Sequence, residues 1–166
     1  MKPASLIQEG IAIFIASLLL ALCVEAYAFV WSTGPPPIRA DGWGYYLPLP
    51  AVFIHGDPTF SFLKAPDLPP EVAYYRFAGN QYQGLSITET GYRDKYALGP
   101  AVMQLPFFLG ALAVARSSAE NPSGFEAPFQ AASALAGAFY FALGAALAYG
   151  AARRRCSRLA SGRWSK

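Results

Sequence analysis

The chain has 166 residues, 54% of them hydrophobic and 14% charged, with a formal net charge of +3. A soluble domain carries about a quarter charged residues, and a chain of this length is one domain or part of a larger one. The basic excess is local, so it is a topology signal rather than a nucleic-acid patch, and no nucleic-acid partner is expected.

The charges are partitioned along the sequence. Residues 10–31 hold one charge, Glu25, and residues 96–115 and 127–152 hold none. Such segregation is what a bilayer demands. The expected class is an α-helical integral membrane protein with two transmembrane helices flanking an external loop with juxtamembrane helices.

In chain order, residues 1–9 form a short cytoplasmic N-terminus carrying Lys2. Residues 10–31 are apolar and long enough to cross a hydrocarbon core of roughly 30 Å at about 1.5 Å per residue. Tyr27 and Trp31 stand where interfacial aromatics belong. A cleaved secretory signal is the alternative reading of this segment, because Ala26-Tyr27-Ala28 has the small-x-small form of a cleavage site. The retained helix is preferred, since the apolar run continues through Phe29, Val30 and Trp31.

Residues 32–126 form the external, periplasmic loop. Gly34-Pro35-Pro36-Pro37 ends the first helix and starts a stiff extended exit. Residues 43–54 are aromatic and apolar and fit the headgroup zone as a juxtamembrane segment. His55-Gly56-Asp57-Pro58 reads as a turn, and residues 60–89 are polar and proline-punctuated. Residues 96–115 are apolar but carry Pro100 and Pro106. Each proline removes a backbone donor, and lipid offers no replacement. A broken segment lying along the outer membrane face is therefore expected, with a Pro-kinked span as the alternative.

Residues 127–152 form the second transmembrane helix, with Pro128 in a tolerated early position and many alanines and glycines that let other helices approach. Residues 153–166 are a cytoplasmic tail with Arg153, Arg154, Arg155, Arg158, Arg163 and Lys166 and no acid. Arginines abutting a hydrophobic run mark the cytoplasmic side. With Lys2 also inside, an even number of crossings satisfies both ends.

Among loop residues, Asp41 follows the first helix closely enough to sit just above the bilayer. A carboxylate there can take a proton from an acceptor hydroxyl or bind a cation, although an Asp before Gly is also a common turn former. Arg39, Arg93 and Lys95 could meet a phosphate at headgroup height, or pair with lipid phosphates. His55 is a turn residue rather than a base. No metal-ligand spacing exists, and Cys23 and Cys156 lie in segments expected in different environments.

The order of a short N-terminus, one helix, then Ala40-Asp41-Gly42-Trp43-Gly44-Tyr45-Tyr46-Leu47-Pro48 and Phe53-Ile54-His55-Gly56-Asp57 resembles the start of membrane glycosyltransferases of the GT-C fold. The similar members are the protein O-mannosyltransferase and aminoarabinose transferase group and related bacterial lipid-linked-sugar transferases. In that family an aspartate of the first external loop, followed shortly by tyrosines, is the proposed catalytic base. Asp41 stands at that place; many members carry Asp-Glu, where this chain has Asp41-Gly42. The stretch from Lys95 to Leu112 is similar to the family's (His/Lys)-Pro-Pro-Leu segment, without the Pro-Pro pair. Residues 125–155 repeat the family's polar link, second helix and closing arginines.

The resemblance implies a partial GT-C fold: the chain covers its beginning, as a truncated member or one subunit of a split enzyme. It implies a bacterial inner-membrane, multi-pass glycosyltransferase with no certain cofactor. The donor is a polyprenyl-phosphate-linked sugar and the acceptor a hydroxyl outside the cytoplasm. Asp41 is the implied base, with Arg39, Tyr45, Tyr46, Arg93 and Lys95 as substrate-binding residues. Membrane lipid and other membrane helices of a full-length or split enzyme are the implied partners. A small non-catalytic membrane scaffold or accessory subunit is the alternative.

Overall fold

The computed structural model describes residues 3–31, 38, 40–77, 81–118 and 121–160. Two compact regions share the chain. One comprises Met1–Ser32 with Gly137–Lys166, the other Thr33–Ala136.

The first region is built from α1 (Pro3–Trp31) and the later part of α6 (Ala127–Ala160). Ile7, Ile11, Ile15, Leu19, Leu20 and Val24 of α1 are all exposed, and no part of its apolar stretch is buried within the chain. A helix that exposes so much apolar surface requires an apolar solvent. The two helices run antiparallel. Phe14 meets Phe139 edge-on with ring centroids 5.8 Å apart. Nearer the N-terminus of α1, Glu9 and Arg153 form an ion pair at 2.7 Å, and the Tyr149 hydroxyl donates to Glu9 at 2.6 Å. Three helices are long and apolar enough to cross a membrane, Leu6–Tyr27, Gly99–Ser118 and Ala127–Ser157. The chain is thus a helical, multi-pass membrane protein. Length and composition admit the middle helix beside the two that the charge pattern selects.

The second region has a protein core of its own. Its elements are α2 (Asp41–Tyr46), α3 (Pro48–Phe53), a 3-10 turn at Ser61–Lys64, α4 (Pro70–Ala73), two small hairpins, α5 (Gly99–Ser118) and the first turns of α6. Strand β1 (Arg76–Phe77) pairs antiparallel with β2 (Gln81–Tyr82), Arg76 opposite Tyr82. Strand β3 (Leu85–Ile87) pairs antiparallel with β4 (Tyr92–Asp94), Ser86 opposite Arg93. Residues 60–89, which show no sequence periodicity, thus hold the 3-10 turn, α4, one hairpin and the strand that opens the second.

Trp43 is the centre of this core, 1% exposed. It stacks on Tyr75 at 4.2 Å and on Tyr82 at 5.8 Å, and Phe125 closes the cluster at 5.1 Å. Of residues 43–54, Trp43, Tyr46, Leu47, Leu49 and Ala51 pack against protein, while Val52 and Phe53 are exposed. A buried polar network braces the cluster. Gln130 accepts from the Ile38 backbone N–H at 2.9 Å and donates to Phe125 O at 3.1 Å, while the Tyr75 hydroxyl donates to Ile38 O at 2.6 Å.

The expectation of a broken segment at residues 96–115 is corrected. Helix α5 runs as one 20-residue element through Pro106. Pro100 occupies the first turn, where N–H groups have no helical partner. Pro106 removes one interior bond, a cost of about 3 kcal/mol. The face formed by Ala101, Phe108, Ala111, Leu112 and Ala115 is buried, and such tertiary packing is what holds most helices together.

Candidate functional site

The site is built where α2 begins. Ala40 has φ +49°, an unusual conformation for a residue with a side chain, and it turns the chain into α2 with Asp41 as the first helical residue. A carboxylate in a first helical turn is favoured by the exposed N–H groups and the helix dipole. Asp41 is exposed. Its Oδ1 accepts a hydrogen bond from the Tyr96 hydroxyl and a second from Gln83 Nε2 at 3.2 Å.

Tyr96 reaches Asp41 because two glycines make room for its ring. A Cβ added at Gly44 or at Gly84 would overlap the Tyr96 ring. Gly84 also has φ +77°, a conformation that disfavours other residues. The Tyr45 ring lies 4.7 Å from that of Tyr96. The Lys95 ammonium stands 4.8 Å from the Tyr96 ring centroid, a cation–π arrangement. The hydrogen bond to Asp41 pushes the Tyr96 hydroxyl up to about 12, so it stays a donor at neutral pH.

Of the residues singled out from the sequence, Asp41, Tyr45 and Lys95 are gathered around Tyr96. Arg93 lies exposed on β4 and lines a cleft of about 500 Å³ together with Asp94 and Tyr96. Arg39 lies outside the described residues. Tyr46 is corrected from a substrate-binding residue to a core residue. It is 2% exposed, its hydroxyl donates to Gly124 O at 2.6 Å, and its ring meets Phe108 at 5.9 Å. Adjacent positions of a helix point about 100° apart, and here Tyr45 turns to the Tyr96 ring while Tyr46 turns into the core.

Tyr96, Gln83 and Asp94 are the site residues that sequence reasoning missed. The glycine on either side of Trp43 and the Gly84 that follows Gln83 are the only traces of the Tyr96 seat, and neither names its occupant. The expected turn at His55–Pro58 is present, with Gly56 at φ +62°. Its aspartate organises it. Asp57 accepts from the Thr59 N–H at 3.0 Å, the Thr59 hydroxyl at 2.6 Å, the Ser61 hydroxyl at 2.7 Å and the Phe62 N–H at 2.9 Å. Burial pushes the Asp57 carboxyl up, but these donors, the Thr59 hydroxyl foremost, hold it well below the usual carboxylate range. His55 stacks on Phe62 at 3.9 Å and faces Ser123 O at 3.3 Å, and burial lowers its pKa, which keeps the ring neutral.

Among the described residues no three His, Cys, Asp or Glu side chains come together as a metal site. What Asp41 offers is an exposed carboxylate with one oxygen held by two donors. Such a group can orient and deprotonate a hydroxyl. The chain matches no family model, no curated protein and no solved structure.

Proposed function

We propose that the chain carries the first external loop and flanking helices of a GT-C-type bacterial membrane glycosyltransferase, transferring a sugar from a polyprenyl-phosphate donor to an acceptor hydroxyl. The observation that carries this reading is the setting of Asp41: exposed, first in its helix, and fixed from a distant segment by Tyr96 and Gln83. Asp41 takes the proton of the acceptor hydroxyl as that oxygen attacks the anomeric carbon. The carbon–oxygen bond to the phosphate breaks, its electron pair leaves with the polyprenyl phosphate, and the anomeric centre inverts. Lys95, with Arg93 nearby on β4, stabilises the charge on the departing phosphate.

The topology that goes with this reading has both ends of the chain in the cytoplasm and residues 32–126 outside. Helix α6 supports it. Its 34 residues span about 51 Å, well beyond a hydrocarbon core of roughly 30 Å. The later part of α6, which ends in arginines, is the part that pairs with α1. Its first turns instead carry Phe129 against Phe108 of α5 at 5.3 Å and Ser133 against Gln104 at 2.8 Å. A scaffold reading has one observation in its favour, a groove of about 450 Å³ lined by Ala21, Gly137 and Ala138, where another helix could dock.

The test is sugar transfer from a labelled polyprenyl-phosphate sugar in membranes of the source cell, with the chain native or carrying Asp41→Asn. The variant keeps the size of the side chain and loses the base. A fall of about 10²- to 10⁴-fold is expected. Undiminished transfer by the variant removes Asp41 as the base and leaves the scaffold reading.

A further inference from the structure

Glu25 is the one charge in residues 10–31, and it lies in the membrane-spanning stretch of α1, Leu6–Tyr27. The other acid of that helix fixes its depth. Glu9 pairs with Arg153, which with Arg154 and Arg155 marks the level of one headgroup layer. Glu25 stands about 24 Å further along α1 at about 1.5 Å per residue, inside a hydrocarbon core of roughly 30 Å. It has no hydrogen bond and no ion pair among the described residues. A carboxylate at that depth is costly unless another group pairs with it, and ionisable residues in membrane helices face protein or a cavity rather than lipid.

Glu25 does line a cavity. With Ala21 and Val24 of α1 and Gly137, Ala138 and Phe141 of α6, it forms a groove of about 450 Å³ in which it is the only polar side chain. A Cβ added at Gly137 would meet nothing within 4 Å, so the pairing of α1 with α6 makes no use of the missing side chain. Glycine weakens a helix relative to alanine, and small residues in membrane helices mark where another backbone comes close. No described part of this chain comes close to Gly137 in that way. An acyl chain would fill the groove and leave the carboxylate in hydrocarbon. A second copy brings no base to that depth, because residues 10–31 and 127–152 contain none. A helix with a lysine or arginine in its span meets both demands, its backbone over Gly137 and its cation on Glu25.

We propose that the groove between α1 and α6 seats a further transmembrane helix that carries a lysine or arginine opposite Glu25. The carboxylate sets the depth and rotation of that helix, and the small residues set how closely it packs. The inference does not rest on the transferase reading.

The test is energy transfer in phosphatidylcholine vesicles between the labelled full chain and a synthetic leucine–alanine helix with one lysine at the depth of Glu25. The same helix with leucine in place of that lysine is the control. The lysine helix is expected to bind at least about tenfold more tightly than the control, the effect of one interhelical hydrogen bond to a charged group. Glu25→Leu should abolish that preference. Gly137→Leu keeps the carboxylate but fills the groove, and should weaken binding of the lysine helix by a similar factor. Glu25→Leu combined with Ala26→Glu moves the acid about 100° round α1 at the same depth, and should not restore binding. Circular dichroism checks that each variant keeps its helices. Equal or absent binding of the two helices overturns the proposal, as does a preference kept in Glu25→Leu or Gly137→Leu, or regained when the acid is moved. Energy transfer between two copies of the chain that is lost in Glu25→Leu also overturns it, by making a second copy the occupant.

Discussion

The two regions of this chain solve the same problem with different solvents. In the first, α1 exposes isoleucines, leucines and valines along its length and fully buries none of its apolar stretch, so the bilayer takes the place of a core. In the second, Trp43, Tyr46, Leu47, Leu63, Phe108 and Phe129 are fully buried among one another, as in a water-soluble domain. The contrast shows where a precise site can be built. Lipid-facing helices expose most of their apolar surface, whereas in the loop Asp41 and Lys95 are gathered around Tyr96.

If that contrast is right, core substitutions should disturb the loop and spare the helices. The largest effect is expected from Trp43→Ala, which removes the centre of the stack and should destabilise the second region by about 3–5 kcal/mol. Amide exchange in nanodiscs should then rise across residues 40–118, with the lipid-facing stretch of α1 unchanged. Equal acceleration in α1 would mean the two regions fold as one. Gly44→Ala is next, at about 1–3 kcal/mol, because the added methyl displaces the Tyr96 ring. On the proposed transferase reading it should also reduce sugar transfer, by releasing Tyr96 from Asp41.

Much of the first region was legible in the sequence, and little of the second. The helices at residues 10–31 and 127–152 are written in long uncharged runs, and the structure extends them to Pro3–Trp31 and Ala127–Ala160. Asp41 was legible as a carboxylate near the end of the first helix. Its partner was not, since Tyr96 lies 55 positions away and nothing local joins the two. Tyr45 and Tyr46 look alike in sequence, and only the direction of α2 separates a site residue from a core residue. The unbroken α5 was hidden for the same reason. Pro106 speaks locally against a helix, while the packing that overrides it comes from residues elsewhere in the chain.

Acid should also separate the regions. Asp57 is held low by its four donors, and Glu126, which burial alone would raise, is held low by the backbone N–H groups of Ser123, Glu126 and Gly124 and by the Ser123 hydroxyl. Groups with depressed folded pKa values stabilise above the ordinary carboxylate range, and that stability is lost as pH falls through it. Loop stability followed by exchange should therefore be flat above about pH 5 and decline below it. In the double variant Asp57→Asn, Glu126→Gln the decline should be shallower. A decline of unchanged steepness would place the acid sensitivity elsewhere.

The smallest effect is expected in the first region. Glu9→Gln breaks the pair with Arg153, but both side chains are about a third exposed. A pair in that setting contributes about 1 kcal/mol or less. Thermal unfolding of the helix pair in lipid should shift only slightly. A large loss would show that the first region depends on this polar clasp more than on lipid.

Two crossings put the loop and the basic tail on opposite sides of the membrane. Labelling with a membrane-impermeant maleimide in intact spheroplasts tests this directly, using a cysteine placed at the exposed Ser86 and the native, exposed Cys156. The expected result is prompt labelling of Ser86→Cys in intact spheroplasts, and labelling of Cys156 only after the membrane is permeabilised. Labelling of Cys156 from outside, or protection of Ser86→Cys, would contradict two crossings and with them the placement of Asp41 outside the cytoplasm.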